Sequence, residues 1–144
     1  MPRPYASSVI DASPEDVWAL VRDFGGLADW HPALDTCEIE PGPPSPQVGA
    51  VRRLTNPAGT FRERLVNVND ATLTQSYEFL ESPFPVRRYL STIQVHPVTD
   101  SGRSFVEWYA EFDADAEAEK QLVPVFADAV FGAGLKAIAE RLGK

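Results

Sequence analysis

From Leu34 onward the chain passes through six segments rich in β-branched and aromatic residues, then closes with one long stretch of helical periodicity. The strand-like segments are Thr36–Glu40, Ala50–Thr55, Thr60–Val68, Thr72–Leu80, Val86–His96 and Ser104–Asp113. Turn clusters separate them, among them Pro41-Gly42-Pro43-Pro44, Asn56-Pro57-Ala58-Gly59, Asn69-Asp70 and Asp100-Ser101-Gly102. Connections this short cannot cross over a parallel sheet, so the pattern requires an antiparallel meander. The closing stretch, Ala116 to Leu142, carries Leu122, Phe126, Val130, Leu135, Ile138 and Leu142 at helical spacing, which predicts a helix of about 25 residues and about 37 Å. Its apolar stripe must be buried, and the only large partner is the concave face of the sheet.

The first third supplies the remaining pieces. Tyr5 to Asp11 reads as a first strand. Ser13 is the expected N-cap of a short helix, with Pro14 at its first position and Asp16 three residues after the cap. Val17, Trp18, Leu20, Val21 and Phe24 give that helix one apolar face, Gly25-Gly26 is expected to stop it, and a second short helix is expected from Leu27 to His31 before Pro32. The predicted class is therefore α+β: one domain over residues 1–144, with a curved seven-stranded antiparallel sheet wrapped around a long C-terminal helix and two short helices after the first strand.

A hollow between a bent sheet and one helix is a natural place for a small molecule, and composition narrows the partners further. The formal charge of −8 repels phosphate backbones and anionic membranes, so no nucleic acid is expected. The single cysteine rules out an internal disulfide, and with two histidines it cannot complete a structural zinc site. Neither a metal nor a cofactor is expected. The opening residues lack the pattern of a signal peptide, and no apolar run reaches the roughly 20 residues of a membrane span. The expected setting is the cytoplasm, without membrane insertion. No Gly-rich phosphate loop and no Gly-x-Ser-x-Gly elbow occurs.

Strand alternation sorts the site candidates. Phe61, Glu63, Leu65 and Asn67 share one face of their strand, opposite Arg62, Arg64, Val66 and Val68. Tyr77 goes with Phe79; Tyr89 with Ser91, Ile93 and Val95; Val106 with Trp108, Ala110 and Phe112. The inner wall is then aromatic with a few polar anchors, the usual make-up of a small-molecule site, although the same rings can simply fill a core. Glu63 is the informative residue, because a carboxylate facing an apolar interior costs several kcal/mol unless paired, hydrated or protonated. It is expected to face inward; the competing arrangement is a surface ion pair with Arg62 or Arg64. His31, at a helix-to-strand junction, can hold an acidic group or carry a proton, or be an ordinary loop histidine. His96 is expected at the surface, Cys37 in packing, and Arg52 either at the cavity mouth or facing out.

Val9 to Trp18, Phe24, Trp30-His31-Pro32, Glu63-Arg64-Leu65, Asp70, Arg88-Tyr89 and Gly134-Leu135 form a pattern in order and spacing along the whole chain. On these residues the chain resembles the START-like (SRPBCC) superfamily of helix-grip proteins, which includes bacterial polyketide cyclase/dehydrase-type proteins, birch-pollen-allergen-type proteins and plant abscisic acid receptors. The receptor branch implies that Glu63 holds ligand polar groups through water and that Tyr89 and Ser91 lie in the pocket. It also implies that Phe126, Val130 and Gly134 close the cavity, and that His31 stands where a lysine binds a carboxylate. Asn56-Pro57-Ala58-Gly59 falls at the gate loop. The receptors' His-Arg-Leu latch is not reproduced in Ser82-Pro83-Phe84-Pro85-Val86, and their gate leucine is Asn56 here. In the aromatase/cyclase branch a polar serine and arginine fall near Val66 and Val68.

The full expected lining is His31, Leu34, Asn56, Pro57, Ala58, Phe61, Glu63, Tyr77, Phe79, Pro85, Tyr89, Ser91, Trp108, Ala110, Phe126, Val130 and Gly134. The first functional reading is binding, carriage or sensing of a small hydrophobic or amphipathic molecule. The alternative is a cyclase- or dehydrase-type enzyme using Glu63, Tyr77 and His31 for acid/base work. A third is an interaction protein of the same fold with no ligand.

Overall fold

Strand β1 (Tyr5–Ile10) starts the chain and lies antiparallel to the last strand, with Tyr5 opposite Tyr109 and Ile10 opposite Ser104. The computed structural model describes residues 3–143; residues 1, 2 and 144 of the expected domain lie outside them. Ser13 caps helix α1 (Pro14–Arg22) by accepting the Asp16 amide at 3.2 Å, and Pro14 occupies its first turn. Val17, Trp18 and Val21 are its buried face. Trp18 Nε1 and Arg22 Nε donate to Asp70 at 2.9 and 2.8 Å, which pins α1 to a turn of the sheet. The helix stops at Arg22, before Gly25-Gly26, and the two glycines instead build a short 3-10 turn (Phe24–Gly26). A Cβ on Gly25 would lie 2.9 Å from Ile39, and one on Gly26 2.6 Å from Asp23. Helix α2 (Leu27–Trp30) follows and ends at His31.

The meander is β2 (Thr36–Ile39), β3 (Val51–Asn56), β4 (Gly59–Asn69), β5 (Thr74–Glu81), β6 (Arg88–Val98) and β7 (Arg103–Asp113). With β1 beside β7 the sheet order is β1-β7-β6-β5-β4-β3-β2, antiparallel throughout. Asn side chains shape two of the turns: Asn56 Oδ1 accepts the Ala58 amide at 2.8 Å, and Asn69 Oδ1 accepts those of Ala71 and Thr72. Thr72 is thereby held in the turn, so β5 begins two residues later than its composition suggests. Register shifts interrupt β4 between Arg62 and Glu63 and between Leu65 and Asn67. Beyond the second shift the alternation reverses: Asn67 is exposed, and Val68 packs on the core.

The C-terminal helix spans Ala116–Leu142, as expected, but it is not uniform. It consists of α3 (Ala116–Pro124), a π-helical stretch (Val125–Gly132) and α4 (Ala133–Leu142). Pro124 has no amide hydrogen to give the preceding turn, and the ladder widens directly after it. In an α-helix, residues five apart point about 140° away from each other. Winding with bonds five residues apart brings them to one side, so Phe126 and Phe131 are both buried, with rings 6.5 Å apart and 21° from parallel. By length and composition this helix would also suffice to cross a membrane, which corrects the expectation that no apolar run is long enough. Here Leu122, Phe126, Phe131, Leu135 and Ile138 bury themselves against the sheet.

At Gly134 the helix backbone lies close against Trp108 of β7. A Cβ there would come within 2.5 Å of the Trp108 ring and 2.9 Å of His31. Both neighbours are buried and cannot step aside, so Gly134→Ala is expected to cost about 1–3 kcal/mol in urea unfolding. An unchanged unfolding midpoint would show that the helix slides freely on the sheet.

Candidate functional site

The inner faces of β4 to β7 and the middle of the C-terminal helix enclose a cavity of about 60 Å³. Strand β4 contributes Phe61 and Glu63, β5 Tyr77 and Phe79, β6 Tyr89 and β7 Trp108. Leu54 and Asn56 of β3, Phe126 and Val130 of the helix, Leu27 of α2, the α2–β2 link (His31, Ala33, Leu34) and Phe84 complete the wall. The rings interlock: Phe79 stacks on Tyr89 at 3.8 Å and 7°, and Phe84 meets Phe61 and Phe126 edge-on, each at 5.4 Å. The space is less than half of the roughly 150 Å³ that admits a benzene ring. A wider groove of about 820 Å³ lies outside, between α1 and the Asp70–Leu73 turn, and shares no residue with the cavity.

Glu63 faces inward and is not alone. Arg52, directly opposite it in the β3–β4 register, donates from Nε to its Oε1 at 2.8 Å and sets Nη2 2.7 Å from the same oxygen in an ion pair. The two residues are 7% and 2% exposed. Arg52 Nη1 donates to the Phe24 carbonyl at 3.1 Å, and the guanidinium lies 3.9 Å from the Phe24 ring centre and 4.6 Å from that of Tyr77. Every nitrogen of the guanidinium is thus engaged, whereas Glu63 Oε2 has no hydrogen-bond partner among the described residues. Burial pushes the Glu63 carboxyl above its ordinary range, and Arg52 pulls it back. Arg62 and Arg64 pair elsewhere, with Glu40 and Glu78, so neither competes for Glu63.

A second polar group joins Trp108, Ser91 and Tyr77. Trp108 shares its one indole N–H between Ser91 Oγ at 3.1 Å and the Tyr77 hydroxyl at 3.2 Å. Ser91 spends its own hydrogen on the Tyr109 carbonyl at 3.2 Å. Burial, reinforced by the nearby Glu63 charge, pushes the Tyr77 phenol up to about 12. Tyr89 is driven well above its ordinary value by burial first and by Tyr77 and Glu63 next.

His31, 3% exposed, has both ring nitrogens committed. Its Nδ1 accepts the Ala33 amide at 3.1 Å, so Nε2 carries the proton and donates to the Val130 carbonyl at 2.7 Å. Burial lowers its pKa, and the Arg52 charge lowers it further against the pull of the Val130 carbonyl. The imidazole is a neutral clamp between the α2–β2 link and the π-helical stretch.

The chain matches the family model described as "Polyketide cyclase / dehydrase and lipid transport" over residues 1–143. It belongs to that family. The protein XoxI from Bacillus cereus has the same fold, with a TM-score of 0.87 and 36% identity over 99% of this chain and 96% of that one. The Zhui aromatase/cyclase from Streptomyces sp. R1128 aligns with a TM-score of 0.83 over 98% and 93% of the two chains; at 20% identity the likeness is one of fold. The abscisic acid receptor PYL7 of Arabidopsis thaliana is 28% identical over 99 residues, covering 66% of this chain and 46% of the receptor. The chain thus spans about half the length of that receptor's sequence.

Within this family fold, eleven of the expected lining residues meet at the cavity: His31, Leu34, Asn56, Phe61, Glu63, Tyr77, Phe79, Tyr89, Trp108, Phe126 and Val130. Six others do not line it. Pro57 and Ala58 are exposed at the tip of the β3–β4 turn, and Pro85 is exposed beside Phe84, whose ring points inward in its place. Ser91 and Ala110 lie behind the wall, and Gly134 is packed under Trp108 and His31. Sequence reading did not include Leu27, Ala33, Leu54 or Phe84; of these, Leu54 was recoverable from its parity with Arg52. Val66 and Val68 are outside the lining too. His96 pairs with Glu107 at 2.6 Å, partly exposed, and Cys37 is half-buried with its thiol pushed up by burial.

Two measurements test this electrostatic arrangement. Arg52→Met leaves the Glu63 carboxylate buried without its counter-ion and is expected to cost about 3–5 kcal/mol, while Arg52→Met with Glu63→Leu recovers most of that loss. Simple additivity in urea unfolding would show the pair to be uncoupled. His31, its pKa depressed on folding, contributes stability that is full above its ordinary 6.5 and is lost as pH falls toward the folded value. The thermal midpoint of the wild type is therefore expected to drop between neutral pH and about pH 5 by more than that of His31→Gln. Parallel profiles would mean that His31 takes up protons equally well folded and unfolded.

Proposed function

We propose that this protein binds a small, largely apolar molecule between its sheet and its C-terminal helix, as a cytoplasmic carrier or sensor. The observation that carries the reading is the unused Glu63 oxygen in a space that Tyr77 and Tyr89 also line and that rings largely wall. Burying a carboxylate, a guanidinium and phenols costs several kcal/mol that apolar side chains of similar volume would spare. A polar end in an apolar wall is what orients a bound molecule. The family's description, which includes lipid transport, and the ligand named for the PYL7 receptor support the same reading.

The enzymatic alternative needs a group that exchanges protons near neutral pH. Burial raises the Glu63 carboxyl toward that range, which suits the role, but Tyr77 is pushed up to about 12 and His31 has both nitrogens occupied, so Glu63 would act without a proton-exchanging partner. Binding is therefore the better-supported reading.

Entry requires the rim to part. A Cβ on Gly59 would lie 3.3 Å from Pro83, so the β3–β4 turn and the 82–87 segment touch, and Phe84 projects from the latter into the space. Phe84→Ala is expected to raise uptake of a lipophilic fluorescent dye such as Nile red severalfold over the wild type. Denaturing protein purified from its native cells is expected to release a stoichiometric small molecule in mass spectrometry. No dye uptake by either form, together with no released molecule, would remove the reading.

A further inference from the structure

The polar groups around the cavity specify a head-group as well as a shape. Among the described residues no lysine or arginine lines it; Arg52 lies behind Glu63 with all its nitrogens engaged. His31, the other possible cation, is held neutral by the Ala33 amide on one nitrogen and donates from the other to Val130. Ser91 donates to the Tyr109 carbonyl and accepts from Trp108, and its remaining acceptor position faces the Tyr77 and Tyr89 hydroxyls, so it offers a ligand no free hydrogen. What remains is one acceptor, Glu63 Oε2, and the O–H of the tyrosine pair, where the Tyr77 oxygen already accepts from Trp108.

We infer that the ligand carries a neutral hydroxyl, alcoholic or phenolic, on a compact apolar body, with that hydroxyl donating to Glu63 Oε2 and accepting from a tyrosine O–H. This rests on the reading of the cavity as a ligand site. A carboxylate or phosphate would set a second negative charge against Glu63 with no free cation to answer it. An ammonium would add a positive charge close to the buried guanidinium of a pair that is already neutral in sum. A hydrocarbon without a polar atom would leave the Glu63 oxygen desolvated and unpaired. A hydroxyl supplies both a donor and an acceptor without net charge.

Four probes that share one body test this by calorimetry near neutral pH on Phe84→Ala, in which the ring that fills part of the space is removed: para-propylphenol, propylbenzene, para-propylbenzoate and para-propylbenzylammonium. The phenol is expected to bind about tenfold or more tightly than each of the other three. Glu63→Gln is expected to narrow the gap between phenol and benzoate. Tyr77→Phe, which leaves the ion pair in place, is expected to bring the phenol closer to propylbenzene, and it carries the test if Glu63→Gln does not fold. Benzoate or ammonium binding as tightly as the phenol, or propylbenzene matching it, overturns the head-group assignment and leaves the ligand cavity standing. If none of the four binds while Nile red is taken up, the head-group assignment falls and the cavity stands; if the dye is not taken up either, both fall together.

Discussion

Arg52 and Glu63 meet across β3 and β4 with almost no water around either, and much of the molecule is arranged to make that tolerable. The third donor of the guanidinium holds the Phe24 carbonyl, so the 3-10 turn after α1 is tied to the sheet through the pair. The rings of Phe24 and Tyr77 cover the guanidinium face. Two charges removed from solvent are repaid only by close geometry and by further hydrogen bonds, and here both are supplied from three separate stretches of chain. The pair is therefore a point of convergence for the N-terminal turn, the middle of the sheet and the cavity wall.

Because the pair uses only one carboxylate oxygen, its other side keeps a chemical character. The rings facing it bury most of their surface against one another, which gives the interior the density of an ordinary core and a small free volume. Site and core are thus built from the same side chains, and widening the space means moving rings whose contacts help hold the fold. Phe84 is the exception, since it projects from a connection between strands and is only half-buried.

Much of this was legible in the order of residues. Strand and helix ranges follow from periodicity and turn chemistry, and the inward sets of β5, β6 and β7 follow from simple alternation. Glu63 was legible as inward because Phe61 and Leu65 flank it at the same parity. Its partner was harder: Val51, Arg52, Arg53 and Leu54 give no clean alternation, and only the register of β3 against β4 sets Arg52 opposite Glu63. Asn67 was misassigned because a bulge changes parity without leaving a mark in composition. The π-helical stretch did leave a trace in the residue order: at 3.6 residues per turn Phe126 and Leu135 fall about 180° apart, so Leu122, Phe126 and Val130 share a side with Leu135, Ile138 and Leu142 only if the helix is wound more loosely between the two groups. In the 82–87 segment, alternation has no meaning, so nothing in the string of residues distinguished Phe84 from Pro85 as the one that turns inward.

The missing side chain at Gly134 has one more effect. There the helix backbone rests almost directly on Trp108, whereas Phe126, eight residues earlier or about 12 Å along the axis, is propped away from the strands by the rings of Phe79, Tyr89 and Phe112. One missing side chain lets backbone meet indole at Gly134, and stacked rings fill the interval at Phe126. The size of the hollow is therefore set by the girth of a few side chains at one position and by the lack of one at another.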